Sequence, residues 1–323
     1  MPSLKEIKNR IASVNSTRKI TSAMKMVASS KLHHAQMMIG NMLPYENMLE
    51  HILKSFLAAM PDIRTPLNVE HAQVKRVALV VYSSNSSLCG GFNANVIKMM
   101  NHAISDYKDL GPDGVVVYPI GRKVAEAVAK LNVTVGGDFI GLVDKPNAAQ
   151  CQQIAEELCE KYMAGELDKV ELIYHHFKSA GSQILTRKTF LPIDVTSDFM
   201  ADNERDLTST VVTEKAQEYL RKNGSNSAES STDEVKPLND DFIVEPDLQT
   251  VLDQLIPQEL KLMLYTALLD SIASEHAARM VAMQTATDNA DELLRDLNLQ
   301  YNKGRQQAIT NELLDIVGGS VNN

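Results

Sequence analysis

Tryptophan does not occur in this sequence, and aromatic side chains of any kind make up only 5% of its 323 residues, whereas methionine appears 15 times. A core short of large rings has to be packed with aliphatic and flexible side chains, a supply that suits long helices better than a β-sandwich. Cysteine is scarce as well. Cys89, Cys151 and Cys159 are odd in number and lack CxxC spacing, which speaks against a disulfide framework and against a zinc site and fits a reducing compartment. No stretch reaches the roughly 18 uncharged apolar residues that a spanning helix needs, and the opening Met1-Pro2-Ser3-Leu4-Lys5-Glu6 has no apolar signal region. The expectation is a chain neither exported nor embedded in a membrane, whose membrane association comes through partners. Two phosphate-binding patterns are also missing, GxGxxG and the Gly-Lys-Ser/Thr ending of a phosphate loop.

What is present begins with an uneven charge. The formal net charge is -9, yet residues 198–247 hold thirteen Asp or Glu against five Lys or Arg and carry nearly all of it. Residues 1–36 are the reverse, with Lys5, Lys8, Arg10, Arg18, Lys19, Lys25 and Lys31 against the single Glu6. A basic arm of this kind is a solvated face, a nucleic-acid contact or a surface for an acidic protein partner, and composition does not choose among them. With 44% hydrophobic and 23% charged residues, the chain can bury the core of one large domain or two modest ones.

From Ser3 to about Ala59 the sequence reads as helix, with Ser3 as N-cap and Glu6 completing a capping box. Leu4, Ile7, Ile11 and Val14 recur at alternating spacings of three and four, and the stripe is expected to resume at Ile20, Met24 and Val27. Gly40 and Pro44 are expected to kink or divide the helix, and Pro61 and Pro66 to mark its end. The first segment is therefore placed at residues 1–60.

Residues 74–196 change character. Val77–Tyr82, Val115–Ile120, Val170–Phe177 and Ser182–Phe190 read as strands, interleaved with helices over Asn93–Tyr107, Lys123–Leu131 and Ala148–Met163. This βαβ rhythm predicts a small, mainly parallel sheet flanked by helices. Residues 197–246 are acidic and rich in Ser and Asn, a composition that buries too little apolar area to offset ordering entropy; within them Thr213–Lys222 has a weak helical pattern.

The last segment, 247–323, is the most informative, because Gln258 to Lys303 contains neither Gly nor Pro. Pro257 suits a first helical turn and Gly318-Gly319 an abrupt stop, which predicts a helix of about 60 residues, far above the ordinary length. Met280, Met283, Thr287, Ala290, Leu294, Leu297, Tyr301, Gly304 and Ala308 keep heptad spacing, so this helix has a seam for a second one. The N-terminal helix is available, and a pair joined through a compact domain runs antiparallel. The seam is built from small and polar residues where a stable zipper would have Leu or Ile, which suits a pair also held by surrounding protein. The fold class is α/β: a long antiparallel coiled coil of the terminal helices plus a small Rossmann-like α/β domain.

Three sets of motifs are distinctive. Near the N-terminus stand Ser3-Leu-Lys-Glu-Ile-Lys-Asn-Arg-Ile-Ala-Ser-Val, Thr17-Arg-Lys-Ile-Thr and Ala23-Met-Lys-Met-Val-Ala-Ser-Ser-Lys-Leu. Near the C-terminus stand Ala273-Ser-Glu-His-Ala-Ala-Arg-Met-Val-Ala-Met, Ala286-Thr-Asp-Asn-Ala, Tyr301-Asn-Lys-Gly-Arg-Gln and Ile309-Thr-Asn-Glu-Leu-Leu-Asp-Ile-Val-Gly-Gly. In the middle stands Leu88-Cys89-Gly90-Gly91-Phe92-Asn93. In all three the chain resembles the gamma subunits of F-type ATP synthases. The chain departs from the family at Asn85, Ser86 and Ser87, where Asp, a basic residue and Gly are usual, at His33-His34, and at Gly304, where Ala is usual. The stretch from about 197 to 243 has no counterpart.

The resemblance implies a mechanical subunit of a bacterial enzyme rather than a catalytic one, with no catalytic residue, cofactor or metal of its own. It implies that the paired terminal helices thread a ring of alternating alpha and beta subunits, and that the globular middle sits with the epsilon subunit on the membrane c-ring. Ion flow, of protons or sodium ions, would then turn the shaft and drive the beta sites through their states. The chain would sit peripherally at the cytoplasmic face of the inner membrane. Carried over as ring contacts are Met24 and Lys25 on the first helix and Arg305, Gln306, Thr310 and Glu312 on the last. Two rivals are an enzyme using Cys89 after the first strand, against which a buried structural thiol is weighed, and a nucleic-acid-binding coiled coil using the basic arm. The acidic stretch 197–246 is either a surface elaboration or a brake on hydrolysis, and with no cysteine after residue 160 it holds no redox switch.

Overall fold

The computed structural model describes residues 3–59, 65–68, 71, 73–111, 113–131, 133–193, 244–245 and 247–321. They belong to two compact units, Met1–Ala28 with Arg279–Asn323, and Ser29–Ala278. The acidic stretch and the helix expected at Thr213–Lys222 lie outside the described residues, as does Pro61.

In the first unit the opening turns of α1 (Leu4–Ala59) lie against the second half of α6 (Leu248–Val321). The start of α1 is a reciprocal capping box: Glu6 N–H donates to Ser3 Oγ at 3.2 Å and Ser3 N–H donates to Glu6 Oε2 at 2.9 Å, satisfying two of the donors that a helix start leaves orphaned. The pair is antiparallel. Arg18 bonds Asp291 at 2.8 Å, Thr21 bonds Thr287 at 2.8 Å, and a Cβ placed on Gly304 would stand 3.2 Å from Leu4 Cδ2, so partners fall in number on α6 as they rise on α1.

On α6 the expected seam is the buried one, with Met283 5%, Ala290 8% and Leu297 3% exposed. On α1 it is out of phase after Val14. Ile20 and Val27 are 59% and 58% exposed, and the heptad continues instead through Arg18, Thr21, Lys25 and Ala28, where Ala28 is buried and the others are buried or half-buried. The reason is that polar side chains hold seam positions by pairing across it: the Arg18 guanidinium on Asp291, the Thr21 hydroxyl on Thr287. A bond between neutral hydroxyls adds only about 1 kcal/mol net, but leaving one buried and unpaired costs more. Thr21 and Thr287 therefore bind the register more than they strengthen the pair.

The two long helices correct three further expectations. Pro44 does not divide α1, which runs on to Ala59. The proline lacks the N–H that would reach the carbonyl of Gly40, but Leu49 and Leu53 beyond it are buried at 4% and 0% exposure, and packing of the following turns keeps the helix continuous. Nor does α6 start at Pro257. It begins at Leu248, where Asp247 is the cap, accepting from Thr250 N–H at 2.9 Å and from the Thr250 hydroxyl at 2.7 Å. At its far end α6 continues through Gly318-Gly319 to Val321, since glycine permits a left-handed stop without imposing one.

The sheet has five strands in the order β3-β2-β1-β4-β5: β1 Val77–Tyr82, β2 Val115–Ile120, β3 Thr134–Val135, β4 Lys169–Ser179 and β5 Ser182–Leu191. β1 pairs in parallel with β2 and β4, β2 in parallel with β3, and β4 in antiparallel with β5. Every residue of β1 is buried, as a central parallel strand covered on both faces must be. Val77, Leu79 and Val81 point to one side, packing with Val96, Met100 and Ala103 of α2 (Phe92–Asp106) and Val124 and Val128 of α3 (Arg122–Val128). The alternate residues face the other side, where the Tyr82 hydroxyl donates to the Leu264 carbonyl of α6 at 3.0 Å. A one-turn helix α4 (Gly141–Asp144) leads into α5 (Ala148–Met163), which buries Cys151, Ile154, Ala155, Leu158, Cys159 and Tyr162. The two-residue β3 is too short for any periodicity to announce it.

Candidate functional site

The residues carried over as partner contacts occupy two helices of the first unit. Met24 and Lys25 are half-buried on α1, and Lys25 falls on the heptad that continues through Thr21 and Ala28. A lysine there lays its stem along the seam and keeps its charge in water. Arg305, Gln306, Thr310 and Glu312 are exposed on α6. The Thr310 hydroxyl is turned back onto its own helix, donating to the Gln306 carbonyl at 2.9 Å, so it presents a methyl and an acceptor lone pair rather than a free donor.

Leu4 of the first turn of α1 faces Gly304, and α6 runs on for seventeen residues beyond that glycine. From Arg305 to Leu314 every residue except the half-buried Ala308 is exposed. Among them are Ile309 at 49%, Leu313 at 58% and Leu314 at 64% exposure. Sequence reasoning singled out the polar residues here and passed over these three. The same holds on α1, where Ile20, Met26 (70%) and Val27 form an exposed apolar face. The signal was available: the strict heptad begun at Leu4 leaves residues 20 and 27 outside it. Large apolar side chains gathered on a helix surface mark an interaction face.

The basic character of α1 is also displayed outward, since Lys5, Lys8, Arg10, Lys19 and Lys31 are exposed and Arg18 is committed to Asp291. His33 and His34 are exposed too.

In the second unit the matched loop between β1 and α2 folds in upon itself. Leu88 and Gly90 take positive φ of 68° and 60°, and Asn93 at the first turn of α2 gathers the loop. Its Oδ1 accepts from Ser84 N–H at 3.1 Å, and its Nδ2 donates to Ser84 Oγ at 2.8 Å and Cys89 Sγ at 3.1 Å. Cys89 is 2% exposed. Asn85 ties the loop to its neighbours: Nδ2 donates to the Ile140 carbonyl at 2.9 Å and Asp144 Oδ2 at 2.8 Å, and Oδ1 accepts from Arg122 N–H at 2.9 Å. Leu88 is left 60% exposed at the tip.

Burial pushes the Cys151 thiol up to about 12 and the Cys159 thiol up to about 11, which removes the thiolate both would need as nucleophiles. At the opposite end of β1 an open cavity of about 430 Å³ is lined by His71, Gln73, Lys75, Arg76, Gly165, Glu166 and Asp168. Of its two carboxylates, that of Asp168 is already occupied. Burial favours the neutral acid, but hydrogen bonds from the Lys75 and Arg76 amides and from His71 outweigh it and hold Asp168 below the usual range. Among the described residues no group of His, Cys, Asp and Glu is placed to hold a metal, and no helix is long and apolar enough to cross a membrane.

Comparison with known proteins finds similarity along the whole chain. A family model described as ATP synthase matches residues 3–321. The ATP synthase gamma chain of Phocaeicola vulgatus is 51% identical over 321 residues, covering 99% of this chain and all of the relative. That of Parabacteroides distasonis is 43% identical over 99% of both chains, and that of Flavobacterium johnsoniae 39% identical over 99% of this chain and 98% of its own. Among solved structures, a chain of the Euglena gracilis mitochondrial ATP synthase, in an assembly of OSCP, F1 and c-ring, superposes with a TM-score of 0.56 at 17% identity, covering 98% of this chain and 93% of that one. At that identity the likeness is one of fold. The sequence relatives carry the assignment: this chain belongs to the gamma-chain family of the F-type ATP synthases.

Proposed function

We propose that the chain is the rotating shaft of its ATP synthase, coupling ion-driven turning of a membrane ring to nucleotide chemistry in other subunits. In this reading the end segments 1–60 and 247–323 serve as shaft, and residues 74–196 serve as the foot that meets an epsilon subunit and a c-ring. The α and β subunits form the sleeve around the shaft, and the assembly holds the chain peripherally at the cytoplasmic face of the bacterial inner membrane.

The observation that carries this is the end of α6. Beyond Gly304 it displays Ile309, Leu313 and Leu314 to solvent. A helix in water without a packed face is marginal, and apolar side chains in that position call for an enclosing partner. The exposed lysines of α1 add a charge suited to acidic loops on the same sleeve. A sleeve can be driven through successive states only by contacts that differ between them, and the exposure of Arg305 and Gln306 just past the helix pair supports such a role for them.

The test is Arg305→Ala combined with Gln306→Ala in the assembled enzyme reconstituted into vesicles. ATP synthesis driven by an ion gradient should fall while the subunits still co-purify. Synthesis at the wild-type rate would overturn the assignment of these contacts.

A further inference from the structure

Within the second unit, α6 buries an unusual number of polar side chains. Glu259, Thr266, Asp270, Ser271, Ser274 and Glu275 are all buried, Asp270 at 1% and Ser274 at 0% exposure, and Asp270 and Ser274 bond the sheet. They are interleaved with Leu260, Leu264, Leu268, Ala273 and Ala277, which are buried as well. Apolar contact is non-directional, so a helix held by leucines alone could shift along the sheet with little change in area. Hydrogen bonds do not tolerate that.

Three such bonds tie α6 to two adjacent strands. The Tyr82 hydroxyl of β1 donates to the Leu264 carbonyl at 3.0 Å, His176 Nδ1 of β4 bonds Asp270 Oδ2 at 2.7 Å, and the Ser274 hydroxyl donates to the His175 carbonyl at 3.2 Å. They span ten residues of helix, or roughly 15 Å. Moving α6 by one residue would advance it about 1.5 Å and turn it about 100°, breaking all three. The His176–Asp270 pair stands at the middle, with side-chain exposures of 13% and 1%. A buried pair of this kind adds little stability over apolar residues of equal volume, but it fixes geometry.

We propose that His176 and Asp270 are positioning residues for torque transmission. They hold α6 in rotational and axial register on the sheet, so that a twist applied to the α/β unit passes into α6 without slip. This rests on the shaft reading above and adds to it where the twist enters the helix.

The decisive experiment uses the full assembled enzyme in vesicles and compares ATP-driven ion pumping per ATP hydrolysed. Asp270→Ala combined with His176→Leu removes the bond at nearly constant total volume. The expected result is that the melting temperature is unchanged or higher and hydrolysis stays near the wild-type rate, while pumping per ATP falls several-fold. His176→Asn, which keeps a donor near the position of Nδ1, should retain pumping. If the double variant pumps as well as wild type, or if melting temperature, hydrolysis and pumping all fall together, the proposal is overturned. Should the double variant not assemble, His176→Leu against His176→Asn gives the same comparison: pumping lost in the first and kept in the second is expected, and equal values in both overturn it. Vesicles prepared without this chain test the shaft reading separately, because that reading fails if they still couple hydrolysis to pumping, whatever the variants do.

Discussion

Lowering the pH from 7 to 5 should weaken the fold through one identifiable ring. His175 lies on β4 at 4% exposure, stacked on Phe92 with centroids 4.3 Å apart, and its Nδ1 is buried without a hydrogen-bond partner. Burial brings its pKa from 6.5 down to about 4, so the folded chain keeps the ring neutral over a range in which the unfolded chain takes up a proton. Where the unfolded state binds more protons, stability rises with pH. The contribution is therefore complete above 6.5, falls by about 1.4 kcal/mol for each pH unit below it, and is exhausted near pH 4, for a total of about 3 kcal/mol. By pH 5 roughly 2 kcal/mol of it should be gone. Urea unfolding followed by circular dichroism suits a helix-rich chain without tryptophan, and His175→Leu, close in volume and unable to ionise, is the control. The wild type should lose about 2 kcal/mol more than the variant between pH 7 and 5. Equal losses in the two would show that His175 is not held neutral by burial, and the reasoning would fail. Carboxylates such as Glu171 do not confuse the comparison. Its burial is outweighed by hydrogen bonds from Arg187, Tyr107 and Lys169 that hold it below the usual range, which also costs stability as the pH falls, but equally in both proteins.

Gly304→Ala should raise the melting temperature slightly: alanine gains about 1 kcal/mol of helix propensity, and the new methyl would stand 3.2 Å from the Leu4 side chain, whose flexible end can give way; a lower midpoint would show that Leu4 cannot move. Ile7→Ser on the seam should cost about 2 kcal/mol or more, whereas Ile20→Ser at 59% exposure should stay within about 0.5 kcal/mol; equal losses by urea titration would place the seam where it was first expected. Cys151 and Cys159, with thiols pushed up to about 12 and about 11, should resist a thiol-reactive dye at pH 8 until denaturant is added, and rapid labelling of either in the native chain would contradict their burial.

Much of the chain was readable because its elements announce themselves locally. VALVVY at Val77–Tyr82 and VVVYPI at Val115–Ile120 are strands whose residues are nearly all buried, as short, nearly continuous apolar runs rich in Val are in a parallel sheet covered on both faces. Helix α5 spans Ala148–Met163 as its pattern implied. The capping box at Ser3 and Glu6 and the small-residue seam of α6 were likewise written in the residues themselves. So was family membership, through long motifs at both ends.

What the sequence left open were matters of partnership between distant segments. Hydrophobicity drew the α1 stripe to Ile20 and Val27, but Arg18 and Thr21 face the partner helix because Asp291 and Thr287 stand opposite to receive them, and a pairing across some 270 residues leaves no trace in local periodicity. Pro44 looked like a break and Pro257 like a helix start, because a lone helix would break or begin there, yet burial of the flanking turns holds both inside continuous helices. The exposed apolar residues past Gly304 drew no notice in the sequence, and only the position of Leu4 shows where the helix pair ends. By itself the sequence determined the elements and their family, since period and propensity act over a few residues. Only the tertiary structure decided which polar residues are buried, which apolar ones are left outside, and how α6 is registered on the sheet, because each depends on what a remote part of the chain places opposite.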